Sequence, residues 1–192
     1  LHFLRGDKAK AKEAIDKQLA AAGNHPVAVE QLLELLAQMQ DWETLVSVAA
    51  RTAPKEVPTE EKSRRAMVPP RTPRTYFLVG VAQYRTGKRK EALASFDRYV
   101  ELDPDPLNSH LRVSEAIRRA EPASQDKKVT LDDSLAYAER TMNVAQDSPM
   151  PYLRRAELRL AQGDKVGAMA DFEVYLERGD YNQPEGISAF CR

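Results

Sequence analysis

Gly87-Lys-Arg-Lys-Glu-Ala92-Leu-Ala-Ser-Phe96-Asp-Arg-Tyr99-Val-Glu101 returns later in the chain as Gly163-Asp-Lys-Val-Gly-Ala168-Met-Ala-Asp-Phe172-Glu-Val-Tyr175-Leu-Glu177. The two stretches lie 76 residues apart and keep Gly, Ala, Phe, Tyr and Glu in step. Each follows a segment opened by proline and carrying tyrosine, Pro73-Arg-Thr-Tyr76 in the first case and Pro149-Met-Pro-Tyr152 in the second. A self-match of this kind is the mark of a stacked repeat. The unit it defines is a helix, a tight turn at glycine and a second helix. Apolar spacing gives the same answer independently: Val29, Leu32, Leu33, Leu36 and Met39 recur at threes and fours, as do Ala92, Leu93, Phe96, Tyr99 and Val100, and Leu135, Ala138, Met142 and Ala145. That is the period of an amphipathic helix, and no window alternates as a half-buried strand would. Asp103-Pro104-Asp105-Pro106 and Asp147-Ser148-Pro149 supply breaks, because proline lacks the donor a helix interior needs.

The unit can be counted. A repeat of 34 residues starting at Pro73 puts the next start at Leu107. Pro149 follows Leu107 by 42, a surplus of eight that falls in the polar stretch Glu121–Thr130. Pro26 precedes Pro73 by 47, and its surplus of 13 falls in Pro54–Thr72, rich in proline and charge. The expected units are therefore 26–59, 73–106, 107–148 with an insertion at 121–130, and 149–182, with 54–72 as a charged Pro-rich insertion. Gly6-Asp7-Lys8-Ala9-Lys10-Ala11 copies the Gly163–Ala168 turn, which makes 1–25 a partial repeat with Leu1–Arg5 as the tail of its first helix. Gln183 falls where a further repeat or a cap, 183–192, should begin. Both ends thus lie inside repeats, and a piece of a larger or processed protein is expected. About nine helices and no sheet should form.

At these positions the sequence resembles the tetratricopeptide repeat family. Tyr76, Gly80, Gly87, Ala92, Phe96 and Pro104 fit that family's spacing, and Tyr152, Ala156, Gly163, Ala168 and Phe172 fit it again. The resemblance implies an all-α fold, a right-handed superhelix (α-solenoid) of antiparallel helix hairpins. It also implies a scaffold that binds a protein or peptide partner, without catalysis and without a cofactor. One hairpin cannot bury its apolar stripe alone and must stack on its neighbours. Gly80, Ala92, Ala156 and Ala168 should mark close helix approaches, with Phe96 and Phe172 filling the space between pairs.

Composition excludes several function classes. With 192 residues and 42% of them hydrophobic, the chain can bury a core. Its 29 basic and 29 acidic side chains cancel, so no global field draws it to nucleic acid, and no nucleic-acid partner is expected. Cys191 is the single cysteine, which rules out an intrachain disulfide and a thiolate metal cluster. No run of about 18 apolar residues exists to span a bilayer, so membrane insertion is not expected and the chain should be soluble. The compartment is left open. His2, His25 and His110 are scattered without metal spacing and are expected at surface or cap positions. No phosphate loop, zinc motif or nucleophile elbow occurs, so no active site is expected. Asp132-Asp133 and Glu60-Glu61 read as a helix start and a solvated loop.

The informative surface is the remaining face of the first helices. In helix 74–86 the core stripe should run through Tyr76, Val79, Gly80 and Gln83, leaving Phe77, Val81 and Tyr84 as a second stripe with Arg74 and Arg85 at its edges. The resemblance implies that such positions line the concave face. The next first helix would add Asn108, Leu111, Glu115, Arg118 and Arg119, and helix 150–162 would add Met150, Leu153, Glu157 and Leu160. Aromatic anchors rimmed by guanidinium groups suit an extended or helical peptide. The competing expectation is that Phe77 and Tyr84 pack on the adjacent hairpin or the Pro-rich insertion. Family members that grip a chaperone's C-terminal carboxylate carry Lys or Arg and Asn at set inner positions. Phe77 and Val81 stand there in this chain, so that clamp is expected to be absent. The basic segment Lys62–Arg74 is either a solvated connection or a contact for an acidic partner or phosphate groups, and Trp42 is expected as a packing anchor at the hairpin turn rather than a ligand platform. Two other functions fit the same residues. One is a regulatory or substrate-gripping region of a larger enzyme or an envelope polysaccharide-export assembly, and the other is self-association through unpaired terminal repeats.

Overall fold

The computed structural model describes residues 13–15, 17, 25–53, 71–120 and 126–179. The Gly6–Ala11 turn, His2, most of the Pro-rich insertion, the 121–125 stretch, the start of a further repeat at Gln183, and Cys191 lie outside the described residues. Among the described residues, 13–15 and 17 are helical, and eight further helices follow: α1 Pro26–Gln38, α2 Trp42–Arg51, α3 Pro73–Arg85, α4 Arg89–Leu102, α5 Pro106–Ala120, α6 Lys127–Val144, α7 Met150–Gln162 and α8 Lys165–Arg178. Among the described residues there is no strand, and no helix is long and apolar enough to cross a membrane.

The helices pair in sequence order into four hairpins, and each hairpin packs on the next, α1 and α2 on α3, α3 and α4 on α5, α6 on α7. The chain is an all-α solenoid.

Three of the tight turns share one hydrogen-bond pattern. Lys88 N–H donates to Gln83 O (2.8 Å) and Gly87 N–H to Tyr84 O (3.1 Å); Asp164 and Gly163 repeat this toward Arg159 O (2.9 Å) and Leu160 O (3.0 Å); Asp41 and Gln40 repeat it toward Leu36 O (3.0 Å) and Ala37 O (3.1 Å). This pattern satisfies the orphan carbonyls of the helix end, and it needs a left-handed residue at the turn. Gly87 (φ 78°) and Gly163 (φ 88°) adopt that conformation freely, whereas the first hairpin places Gln40 there at φ 56°. Side-chain caps then start the helices. Asp41, Thr72, Asp126 and Asp164 accept from the N–H groups of Thr44, Thr75, Lys128 and Gly167 at 2.9–3.2 Å.

The core is a string of clusters between successive hairpins. Val29, Leu33, Leu36, Leu45, Val48 and Ala49 meet Leu78, Val79 and Ala82 across the first junction. Tyr84, Ala92, Phe96, Tyr99, Val113, Ile117 and Tyr137 fill the second, and Leu131, Ala138 and Leu158 the third. Trp42 packs at the edge of the first cluster. A Cβ on Gly80 would lie 2.6 Å from the Phe96 ring, so only glycine lets α3 approach α4 this closely. Ala92, Ala156 and Ala168 are likewise fully buried. Phe172 is only half-buried, because it lies on the last described hairpin.

Four expectations need correction. The buried face of α3 is wider than the expected stripe: Thr75, Leu78, Ala82 and Tyr84 are buried with Val79 and Gly80, while Tyr76 and Gln83 are half-buried. A helix packed between two hairpins is covered on two sides, and a single 3.6-residue stripe underestimates that. The stretch 121–130 is partly helix, since α6 starts at Lys127 behind the Asp126 cap. Asp132 and Asp133 consequently sit within the helix rather than at its start, and Asp133 is buried. His110 is buried too, with Nδ1 2.6 Å from Pro106 O and its ring beside Tyr137, whereas His25 is the N-cap residue of α1.

Candidate functional site

A groove of about 450 Å³ runs along the first helices of the second, third and fourth hairpins. Helix α3 contributes Phe77, Val81 and Arg85, spaced by four so that they share one face. Helix α5 contributes Asn108, Leu111, Arg112, Glu115, Ala116 and Arg119, and α7 contributes Arg154. Phe77 forms part of the floor. Its ring packs 5.1 Å from the Tyr99 ring and 6.2 Å from Phe96, which fixes its orientation while leaving it half-exposed to the groove. Asn108 is held by Asp105, whose carboxylate accepts from its side-chain amide (2.6 Å) and its backbone N–H (3.1 Å).

The cations of the groove are positioned by other groups. Arg85 lies over the Trp42 ring at 4.9 Å, a cation–π contact, and donates through Nη2 to Arg119 O at 3.0 Å. It thereby ties hairpins one, two and three together. The Tyr99 hydroxyl, and after it the charges of Asp103 and Asp105, raise the pKa of Arg112 above its ordinary value. At the centre, Glu115 accepts from Arg118 Nε (2.9 Å) and Nη2 (2.7 Å), from Arg154 Nη1 (2.7 Å) and from Arg119. Arg154 also reaches Glu157 at 2.9 Å. Burial alone would raise the Glu115 pKa, but the hydrogen bond from Arg118 and the charges of Arg154, Arg118 and Arg119 outweigh it and hold the carboxyl below its ordinary value.

The structure therefore brings together seven of the residues expected at the inner surface: Phe77, Val81, Arg85, Asn108, Leu111, Glu115 and Arg119. Arg118 and Glu157 stand beside them through the ion-pair network. Arg74 points elsewhere, to Glu34 of α1 at 3.1 Å. Two expectations are overturned. Tyr84 is fully buried and donates its hydroxyl to Asp133 Oδ2 at 2.8 Å, so it is a junction residue between hairpins and not a groove anchor. Leu153 is buried as well and does not line the groove. Arg112, Ala116 and Arg154 line the groove without having been expected. The first two continue the row Asn108, Arg112, Ala116 at steps of four, a signal present in the sequence; Arg154 becomes visible only through its contact with Glu115.

The ion pairs outside the groove are structural. Asp133 accepts from Arg89 Nε (2.7 Å) as well as from Tyr84, and Asp97 accepts from Tyr137 (2.7 Å) and Arg140 (2.6 Å). Asp171 is forked by Arg155 (2.8 and 2.6 Å) and met by Arg159 (2.9 Å) within the last hairpin. No cluster of three or more His, Cys, Asp or Glu side chains suited to a metal ion occurs among the described residues.

Stacked helical hairpins with a groove along their first helices define a class, the helical-repeat solenoid. Residues 74–106, the α3–α4 hairpin, match the family model for the tetratricopeptide repeat. Among solved structures it is similar to the crystal structure of MamA, with a TM-score of 0.56 at 14% identity over 92% of this chain and 91% of that one. It is also similar to residues 41 to the end of MamA from Desulfovibrio magneticus RS-1, with a TM-score of 0.53 at 14% identity over 92% and 88% of the two chains. At such identity the likeness concerns the fold alone. No curated protein matches the chain by sequence.

Proposed function

We propose that this chain is a non-catalytic scaffold whose groove along α3, α5 and α7 holds a peptide segment of a protein partner. The observation that carries this reading is the composition of the groove: Phe77, Val81, Leu111 and Ala116 form an apolar strip, and side chains already fixed by their own hydrogen bonds surround it. An apolar strip on rigid helices offers buried area at little ordering cost. Guanidinium groups at its edge can read the backbone or charge of a bound chain.

The test is selection from a random peptide library displayed on phage. Selected peptides should carry a bulky apolar residue. Their affinity should fall at least about tenfold in Leu111→Asp, because a carboxylate on the strip would be desolvated without a partner. Leu111 is partly exposed, so the helical circular dichroism signal should be unchanged. Recovery of no peptide, or of peptides indifferent to Leu111→Asp, would remove the groove assignment.

A further inference from the structure

The charge in the groove is lopsided in a way the chain as a whole is not. Four guanidinium groups, those of Arg85, Arg112, Arg119 and Arg154, line it against the single carboxylate of Glu115, whereas over the full sequence 29 basic and 29 acidic side chains cancel. Three guanidiniums converge on Glu115, counting Arg118 just outside the lining. Each guanidinium has five N–H donors and one carboxylate has about four acceptor sites, so most donors of the cluster are not used on Glu115. The forked geometry from Arg118, at 2.9 and 2.7 Å, shows that the cluster has the shape a carboxylate requires. Access differs among its members. The Glu115 side chain is only 18% exposed and Arg154 only 24%, while Arg119 is 71% exposed. Arg154 is further neutralised by Glu157. Arg119 is therefore the guanidinium that an arriving anion meets, and Arg112, an exposed member of the groove lining, is a second one seven residues earlier on the same helix.

We infer that the occupant of the groove is an acidic peptide, with a carboxylate next to the apolar residue seated on Phe77 and Leu111, and that Glu115 is a built-in competitor for that carboxylate. This rests on the reading of the groove as a peptide site. In it, Glu115 keeps the guanidiniums assembled and screened in the free protein. An incoming carboxylate shares Arg119 with it, taking donors Glu115 does not use, and feels both the attraction of the arginines and the repulsion of Glu115. Charge complementarity then selects the partner, and the single negative charge of Glu115 sets how tightly.

The experiment uses short fluorescent peptides built on one apolar anchor, with Glu, Gln, Lys or phosphoserine beside it, measured by anisotropy against the whole chain. The Glu peptide should bind about tenfold more tightly than the Gln peptide at low salt, and the difference should shrink as salt is raised. Arg119→Gln should erase that difference while leaving the Gln peptide's affinity alone. Glu115→Gln should tighten the Glu peptide several-fold with no change for the Gln peptide, because the amide keeps the shape and removes the repulsion. Equal binding of all four peptides would overturn the inference and leave the groove reading standing. So would preference for phosphoserine over Glu, or a Glu115→Gln protein with an intact helical spectrum that binds the Glu peptide no better. Binding of none of them would overturn both.

Discussion

Truncation of Phe96 to alanine should destabilise the protein by about 3–5 kcal/mol, the usual cost of removing a fully buried aromatic ring, read as a shift of the urea midpoint followed by circular dichroism. Phe96 has no exposed surface, and its ring lies against Gly80, Phe77 and Tyr137. Those contacts come from α3 and α6 while Phe96 itself belongs to α4, so one residue holds the second hairpin closed and binds it to the third. Collapse cannot fill the space cheaply, because Gly80 has no side chain to move and Tyr137 is tethered through its hydroxyl to Asp97 at 2.7 Å. A loss below about 1 kcal/mol would show that the surrounding helices close up after all. The groove should suffer with the core, since Phe77 on its floor rests on the same ring.

Asp133→Ala is expected to cost about 3 kcal/mol, the low end for breaking a buried charged pair. Asp133 is buried and holds both the Tyr84 hydroxyl and Arg89. Arg89, whose side chain is 44% exposed, can turn to water when its partner goes. Tyr84 cannot: it is fully buried, and its hydroxyl would lose the 2.8 Å bond to Asp133 at a cost of about 1–3 kcal/mol. Tyr84→Phe, which removes the hydroxyl and keeps the ring, should cost roughly 1 kcal/mol by itself. In the double variant Tyr84→Phe with Asp133→Ala, the combined loss should be less than the sum of the separate ones, since the bond between the two side chains can be lost only once. Strict additivity in thermal or urea unfolding would mean that the pair is not coupled.

The fold was legible because its determinants are local. Gly87 and Gly163 announce left-handed turns, Pro73 and Thr72 announce a helix start, and Phe96 and Ala92 fall on one helical face, all within a few residues of one another. The groove was legible to the extent that it repeats this local period, which is why Phe77, Val81 and Arg85 at steps of four come together. Tyr84 was misplaced because the residue that decides its position, Asp133, lies 49 residues away, and no helical period connects the two. Asp133 was misread for the same reason. Taken alone, two adjacent aspartates look like the acidic start of a helix; their true setting depends on α6 beginning four residues earlier than the repeat count placed it. His110 is buried beside Tyr137 of the helix paired with its own, and Leu153 is buried as well; burial by another helix leaves no mark on the spacing of a single helix.

The residue at the first turn carries a consequence for the order in which the chain assembles. Gln40 holds a left-handed backbone at φ 56°, where the second and fourth hairpins have glycine, and a side chain in that conformation costs roughly 1 kcal/mol that glycine does not. In a stack whose stability is a sum of hairpin terms and junction terms, closure begins where the local term is best and spreads from there. The first hairpin then closes against an α3 already in place, templated by Leu78, Val79 and Ala82 instead of by its own turn. In native-state hydrogen exchange the amides of α1 and α2 should open before those of α3 and α4, and Gln40→Gly should narrow the gap. Simultaneous opening of both pairs would show that assembly has no such direction.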